Sequence, residues 1–248
     1  MKLAIISDIH EDIVSLQNAF RKIDKLKCDE IVCLGDIVGF STLYYIFNTS
    51  RNARACLDLI RHNCHIIISG NHDLHAVMKT PVNSPLFEYP TDWYQMEYIH
   101  RREVSKGLVW LYEDEEAYTG LTEEDKHFIA ELPEFFILNS TLGNILFTHY
   151  IYPNLIGSMK TFHFDCDDFS DHMDYMRTSN CEISMAGHAH TEGFDIITND
   201  SQNCYPYKKR IIIEKRCCII VPAIVKTNKW NGFLIFDTET SEAEAIRL

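Results

Sequence analysis

Short apolar runs alternate with amphipathic stretches through the first third of the chain. Residues 3–7 (LAIIS) form one run, 30–34 (EIVCL) a second and 65–69 (HIIIS) a third. Runs of this length bounded by polar residues predict buried strands. Between the first two, Ile13, Leu16, Ala19, Phe20, Ile23 and Leu26 recur at helical spacing and predict a helix over 12–26. Between the second and third, Ala53, Cys56, Leu57, Leu59 and Ile60 predict another over 53–61. Strand, helix, strand, helix, strand implies a parallel sheet with right-handed crossovers.

The second half has a different rhythm. Apolar runs at 145–149 (ILFTH), 182–187 (EISMAG), 210–213, 217–221 and 233–237 leave little room for helices, so a mixed or antiparallel sheet is expected there. Residues 80–133 read as a helical insertion. Pro81, Pro85 and Pro90 punctuate its start, and 93–106 predicts a helix ended by Gly107. Thr122 three residues before Asp125 predicts the capped start of a helix ending near Pro133. Residues 150–180 form a second insertion, acidic and aromatic. The expectation is a single domain over 1–248 carrying both insertions.

Charge narrows the function. The 23 Lys and Arg against 36 Asp and Glu give a net charge of −13, which disfavours a broad face for nucleic-acid polymers or anionic membranes. No apolar run reaches the length of a membrane span. The start, MKLAIISDIHED, reads as a buried strand rather than a secretory leader. The nine cysteines are odd in number, scattered and without a C-x-x-C pair, so reduced thiols and a cytoplasmic location are expected.

The chemistry lies where the runs end. The first run leads to Asp8 and His10, the second to Gly35-Asp36, and the third to Gly70-Asn71-His72-Asp73. The fourth ends in His149 and the fifth in Gly187-His188-Ala189-His190. Strand ends in an α/β sheet converge on one crevice. Alternate residues of an extended chain point the same way, so Asp8 with His10, and His188 with His190, can each present a pair of ligands. Gly35, Gly70 and Gly187 stand just before candidate ligands, where a close backbone approach is needed. Mixed Asp, His and Asn donors suit manganese, iron or zinc better than magnesium or calcium. Two divalent ions over Asp8 and Asp36 would make a small cationic pocket in an acidic protein, suited to one phosphate.

Each of these motifs is weak alone. Together and in order they resemble the calcineurin-like metallophosphoesterase superfamily, over residues 3 to about 190. The resemblance implies a two-sheet mixed β sandwich flanked by helices. It implies two divalent metal ions, one on Asp8, His10 and His190, the other on Asn71, His149 and His188, with Asp36 bridging them. It gives His72 the catalytic part of protonating the leaving alkoxide, and a metal-bridging hydroxide that of the nucleophile. The stretch CLGDIVGF and the later ELPEFF look most like the bacterial branch grouped with diadenosine-tetraphosphatase-like phosphoesterases.

The departures matter. The protein Ser/Thr phosphatases of the superfamily read G-D-x-V-D-R-G, with an Asp that orients the acid histidine and an Arg that grips phosphate. Here those positions are Gly39 and Phe40, which disfavours phosphoproteins as substrates. Glu11 and Asp12 replace the usual Gly-Asn, and His75 is a candidate for the missing partner of His72. The expected substrate is a small phosphomonoester or phosphodiester, nucleotide-like esters included. The competing reading is a non-catalytic metal-binding interaction scaffold of the same fold, although such relatives usually lose ligands and none is missing here.

Blander roles are expected elsewhere. Asp73 is expected to cap a turn, and Phe87, Tyr89, Trp93, Tyr94 and Tyr98 to pack the insertion. His163 and His172 are expected as surface or satisfied polar residues flanking a solvated acidic stretch rather than a third metal site. Lys208, Lys209 and Arg210 are expected in an exposed loop.

Overall fold

The computed structural model describes residues 1–248 apart from 46, 48–49, 113–115, 118 and 162–168. The chain opens with β1 (Lys2–Ile6), α1 (Ile13–Leu26), β2 (Glu30–Cys33), β3 (Phe40–Ser41), α2 (Ala53–Asn63), β4 (Ile66–Ile67) and α3 (Asn71–Ala76). After α4 (Tyr98–Ser105), β5 (Glu116–Ala117) and α5 (Glu123–Glu131), it continues through β6 (Phe135–Ser140), β7 (Gly143–Thr148) and α6 (Ser170–Thr178). The last part is all strand: β8 (Cys181–Thr191), β9 (Phe194–Ile197), β10 (Gln202–Tyr205), β11 (Arg210–Ile212), β12 (Cys217–Pro222), β13 (Gly232–Asp237) and β14 (Glu242–Arg247).

Two six-stranded sheets result, in the orders β11-β14-β13-β1-β2-β4 and β10-β9-β12-β8-β7-β6, with β3 and β5 as a separate pair. Both are mixed, as the family resemblance implies. In the first, the parallel sheet expected of the first third is present as β1, β2 and β4, with the later strand β13 added antiparallel beside β1. In the second, β7, β8 and β12 run parallel, and β6 and β9 close antiparallel on them.

The two-residue alternation of a strand sorts its side chains between layers. Leu3 and Ile5 of β1 join Phe147 of β7, Met185 of β8 and Ile219 of β12 in the core between the sheets. Ala4 and Ile6 face the other way, onto Leu16, Ala19 and Ile23 of α1 and Cys56, Leu57 and Ile60 of α2. On the far side, Met173 and Met176 of α6 cover Leu146 and Cys181. Helices, sheet, sheet and helix make four layers. Asp12 caps α1 by accepting from Ser15 N at 3.0 Å, Asn52 caps α2, and Thr122 with Asp125 forms the expected capping box of α5.

Two expectations need correction. The helix over 93–106 is broken: a 3₁₀ turn holds Trp93–Gln95, Met96 and Glu97 turn extended, and α4 starts only at Tyr98. Trp93 is instead locked among Phe87 and Tyr89, edge to face. The third run forms only a two-residue strand, with His65 turned outward to pair with Glu30 at 2.7 Å. The stretch 163–168 lies outside the described residues; His172 beyond it is buried, and of the two roles expected for it, surface or satisfied polar residue, it has the second. It accepts from Tyr152 N at 2.9 Å and bonds Ser184 Oγ at 2.9 Å, so it is a satisfied core histidine. Among the described residues the cysteines are free, and no helix is long and apolar enough to cross a membrane.

Candidate metal centre

The loops that follow β1, β2, β4 and β7, together with the end of β8, bring all seven expected ligands to one place. Asp8, His10, Asp36, Asn71 and His149 are buried, and His188 and His190 partly so. Asp36 sits centrally. Its Oδ2 lies 3.1 Å from His149 Nε2, 3.7 Å from His10 Nε2 and 4.0 Å from His72 Nε2. Asp8 Oδ1 lies 3.3 Å from His190 Nε2 and 3.9 Å from His149 Nε2.

The local backbone is bent to achieve this. Asp8, His10, Asp36, His188 and His190 all have positive φ, from 46° to 64°. A non-glycine residue there costs on the order of 1–3 kcal/mol unless its surroundings impose it. Here they do. Asp8 N donates to Gly35 O at 3.1 Å, and Ile9 N and His10 N donate to Asp36 O at 2.8 and 3.0 Å. Asp73 works as the expected brace: Oδ1 accepts from Ile37 N and Val38 N, and Oδ2 accepts from Gly70 N. Gly187 leaves room where β8 passes the first loop, since a Cβ there would come within 2.6 Å of Asp8 Oδ2.

The ligand atoms are aimed by what holds the opposite side of each group. Nδ1 of His10 donates to Gly39 O at 2.8 Å and Nδ1 of His149 to Leu34 O at 2.7 Å, which leaves Nε2 to face the cluster. Asn71 Nδ2 donates to Tyr112 OH at 2.6 Å, leaving Oδ1 to do the same. His188 N donates to Asp8 Oδ2 at 2.9 Å, and His72 N to Asp36 Oδ1 at 2.9 Å. Asp8 Oδ1, His10 Nε2 and Asn71 Oδ1 are buried and make no hydrogen bond. Buried polar atoms are normally satisfied, so this set calls for an electron-pair acceptor such as a divalent cation. Ligand atoms of Asp8, His10 and His190 lie within 4.8 Å of one another, and so do those of Asp36, His149 and His188, and of His10, Asp36 and His72.

The electrostatics fit a cation site. Burial opposes ionisation of Asp36, yet His149, His72 and His10 outweigh it and hold the carboxylate charged. Asp8 stays charged in the same way, against burial, through His190 and His149. Burial and the neighbouring His72 push His10 down to about 3, and burial with His149 does the same for His188. Both therefore present neutral imidazoles, the form that ligates metals. For His149 burial lowers and Asp36 raises, with a net rise to about 9. His72 also rises to about 9 against burial, through Asp36 and Glu116.

Over this floor opens a cavity of about 390 Å³ walled by Tyr44, Tyr45, Trp110 and Tyr112, with Lys229 at its edge. None of these wall residues, nor Glu116 beside His72, stood out in the sequence reading. Tyr112 and Glu116 come from the 80–133 insertion, where an aromatic or acidic residue carries no signal of its target. Lys229 lies on the connection before β13, and its Nζ donates to His190 O at 3.2 Å. The expected partner of His72 is also corrected. Glu116, not His75, holds His72 Nδ1, while the His75 ring packs on Tyr112 with centroids 5.0 Å apart. Phe87, Tyr89, Trp93 and Tyr94 pack among themselves and against Val109 and Met159, as expected of an insertion core.

Comparison with known proteins agrees with this geometry. Over its whole length the chain superposes on a metallophosphoesterase from Sphaerobacter thermophilus, covering 88% of that chain with a TM-score of 0.70 at 18% identity. It also superposes on protein PH1004 from Pyrococcus horikoshii OT3, covering 87% of it with a TM-score of 0.63 at 15% identity. Identities this low speak for the fold alone. Protein MJ0912 of Methanocaldococcus jannaschii is 38% identical over 78 residues, a match spanning 31% of this chain and 28% of that protein. The family model described as the calcineurin-like phosphoesterase superfamily domain matches residues 1–204, and the chain belongs to that family.

Proposed function

We propose that the protein is a metal-dependent phosphoric ester hydrolase acting on a small phosphomonoester or phosphodiester. The observation that carries this reading is the convergence of Asp8, His10, Asp36, Asn71, His149, His188 and His190 around buried atoms with unused lone pairs. In this reading Asp8, His10 and His190 would hold one divalent ion and Asn71, His149 and His188 a second, with Asp36 placed to serve either. Manganese, iron or zinc suits that donor set. When bound, two such ions polarise the phosphoryl oxygens and make a water nucleophilic at neutral pH.

The chain's own residues do the rest. His72 lies at the cavity floor with Nε2 toward Asp36, and it gives a proton to the departing alkoxide. The Tyr44, Tyr45, Trp110 and Tyr112 walls shield the reacting phosphate from bulk water and take up the organic part of the ester. A cavity of this size admits a small ester and not a folded phosphoprotein. A net charge of −13 over the whole chain disfavours long polyanions, so no nucleic-acid polymer is a substrate in this account.

The test is hydrolysis of phosphate monoesters and diesters by the purified protein, supplemented in turn with manganese, iron and zinc. Turnover that chelation abolishes is expected. His72→Ala should keep the metal content and lose about 10²–10⁴ in kcat on esters with poor leaving groups. No hydrolysis with any of the metals, in a protein that binds them, would favour a scaffold of the same fold instead.

A further inference from the structure

We infer that Glu116, carried into the site by the 80–133 insertion, is a positioning residue that fixes the ring of His72 so that Nε2 delivers its proton to the leaving group. This rests on the hydrolase reading above. His72 is tied through its backbone, by its N–H to Asp36 Oδ1, and that bond leaves the ring free to turn about its side-chain torsions. His10 and Tyr112 pack against the ring, with centroids 4.8 and 4.6 Å away, and the Glu116 carboxylate is what engages Nδ1 and so fixes which nitrogen faces which way.

The partner could not come from the loop on which the ring lies. Residue 39 is glycine with φ of +88°, and a Cβ there would fall 2.6 Å from His72 Cβ and 2.8 Å from Nδ1. The imidazole packs against bare backbone on that side, so a carboxylate must arrive from another segment. The small β3–β5 ribbon supplies it. Ser41 pairs with Glu116 and Phe40 with Ala117, and Glu116 N donates to Tyr112 O at 3.0 Å. The Glu116 side chain is 7% exposed and that of His72 17%, so solvent competes little for the contact.

The consequence is a choice of tautomer. With Nδ1–H donated to the carboxylate, the second proton of the imidazolium resides on Nε2, on the cavity side. In the reaction the water oxygen bonds to phosphorus and gives one proton up to solvent, the bond from phosphorus to the alkoxide breaks, the Nε2 proton passes to the alkoxide oxygen, and the imidazole takes a proton back from solvent once the alcohol has left. The insertion, which lies outside the strands bearing the ligands, thereby completes the acid half of the site.

Two measurements test this. The first compares Glu116→Gln, Glu116→Asp and His72→Ala on esters of p-nitrophenol, a good leaving group, and of an alkyl alcohol, a poor one. Glu116→Gln is expected to lower kcat about 10-fold or more on the alkyl ester and less than about 3-fold on the p-nitrophenyl ester. KM and bound metal should not change, Glu116→Asp should recover part of the loss, and the double variant with His72→Ala should be no slower than His72→Ala alone. Equal losses on both esters, or lost metal, would overturn the assignment while leaving the hydrolase reading standing.

The second measurement needs no turnover. In long-range ¹H–¹⁵N spectra of the zinc-loaded protein, recorded at a pH high enough to leave the ring neutral, His72, identified by its absence in His72→Ala, should carry its one proton on Nδ1. Glu116→Ala should spread it between both nitrogens. An unchanged tautomer in Glu116→Ala would show that Glu116 does not orient the ring. Loss of hydrolysis in His72→Ala with full activity in Glu116→Gln would refute Glu116 and spare His72. Full alkyl-ester activity in His72→Ala would refute the acid itself.

Discussion

His10 and His149 show how a residue is committed to one atom. Each gives Nδ1–H to a main-chain carbonyl from the second strand's loop, Gly39 O and Leu34 O, so only Nε2 remains for a ligand. Asn71 is set the same way by Tyr112, through a bond of 2.6 Å from its amide nitrogen. Tyr112→Phe removes that acceptor without changing the ring. It is expected to weaken metal affinity about 10–100-fold at the site that Asn71 shares with His149 and His188, read by calorimetric titration. Unchanged affinity at both sites would mean that the amide is oriented by something else. The side chains that cluster were legible in the sequence because each follows an apolar run. Tyr112 and Glu116 were not. They act across a distance in sequence of 41 and 44 residues from Asn71 and His72, and no local spacing encodes such a contact.

At the scale of elements, the site depends on how closely β8 passes the loop after β1. Gly187 N donates to His149 O at 2.8 Å, which places β8 against Asp8 with no space for a side chain. Gly187→Ala is expected to push Asp8 from its position, cost about 1–3 kcal/mol in stability and lower metal content, measured by denaturant unfolding and elemental analysis. A variant of wild-type stability and full metal content would contradict this packing. The central strands and the two long helices were readable because their periods are clean and strands such as β1 and β12 are buried on both faces. The helix over 93–106 was misread because Trp93 satisfies the helical spacing while its ring is claimed by Phe87 and Tyr89. The single turn of strand at Ile66–Ile67 was over-read because it lies at a sheet edge, where apolar composition exceeds what is paired.

For the whole molecule, the cluster links stability to pH when metal is removed. Burial disfavours the charged forms of His72 and His149, but Asp36 lifts both to about 9 in the folded state, above the ordinary 6.5. A raised histidine stabilises fully below 6.5, and its contribution is lost as pH rises through 9. Burial also raises Glu11 and Asp73 to about 7, and these lose stability in the same direction as they ionise. The chelated protein is therefore expected to unfold at progressively lower urea between pH 6.5 and 9. Metal should remove the share due to His149, since a ligating histidine is already neutral, and leave that of His72. A chelated protein whose midpoint rises over that range would show that the histidines are not held charged. The central claim is that seven side chains hold two divalent ions side by side, and anomalous diffraction at the manganese edge from crystals grown with excess Mn²⁺ tests it most directly. Two peaks are expected, one among Asp8, His10 and His190 and one among Asn71, His149 and His188, with Asp36 touching both. An ordered site with no peak, or with a single ion that leaves half of these ligands unused, would contradict it.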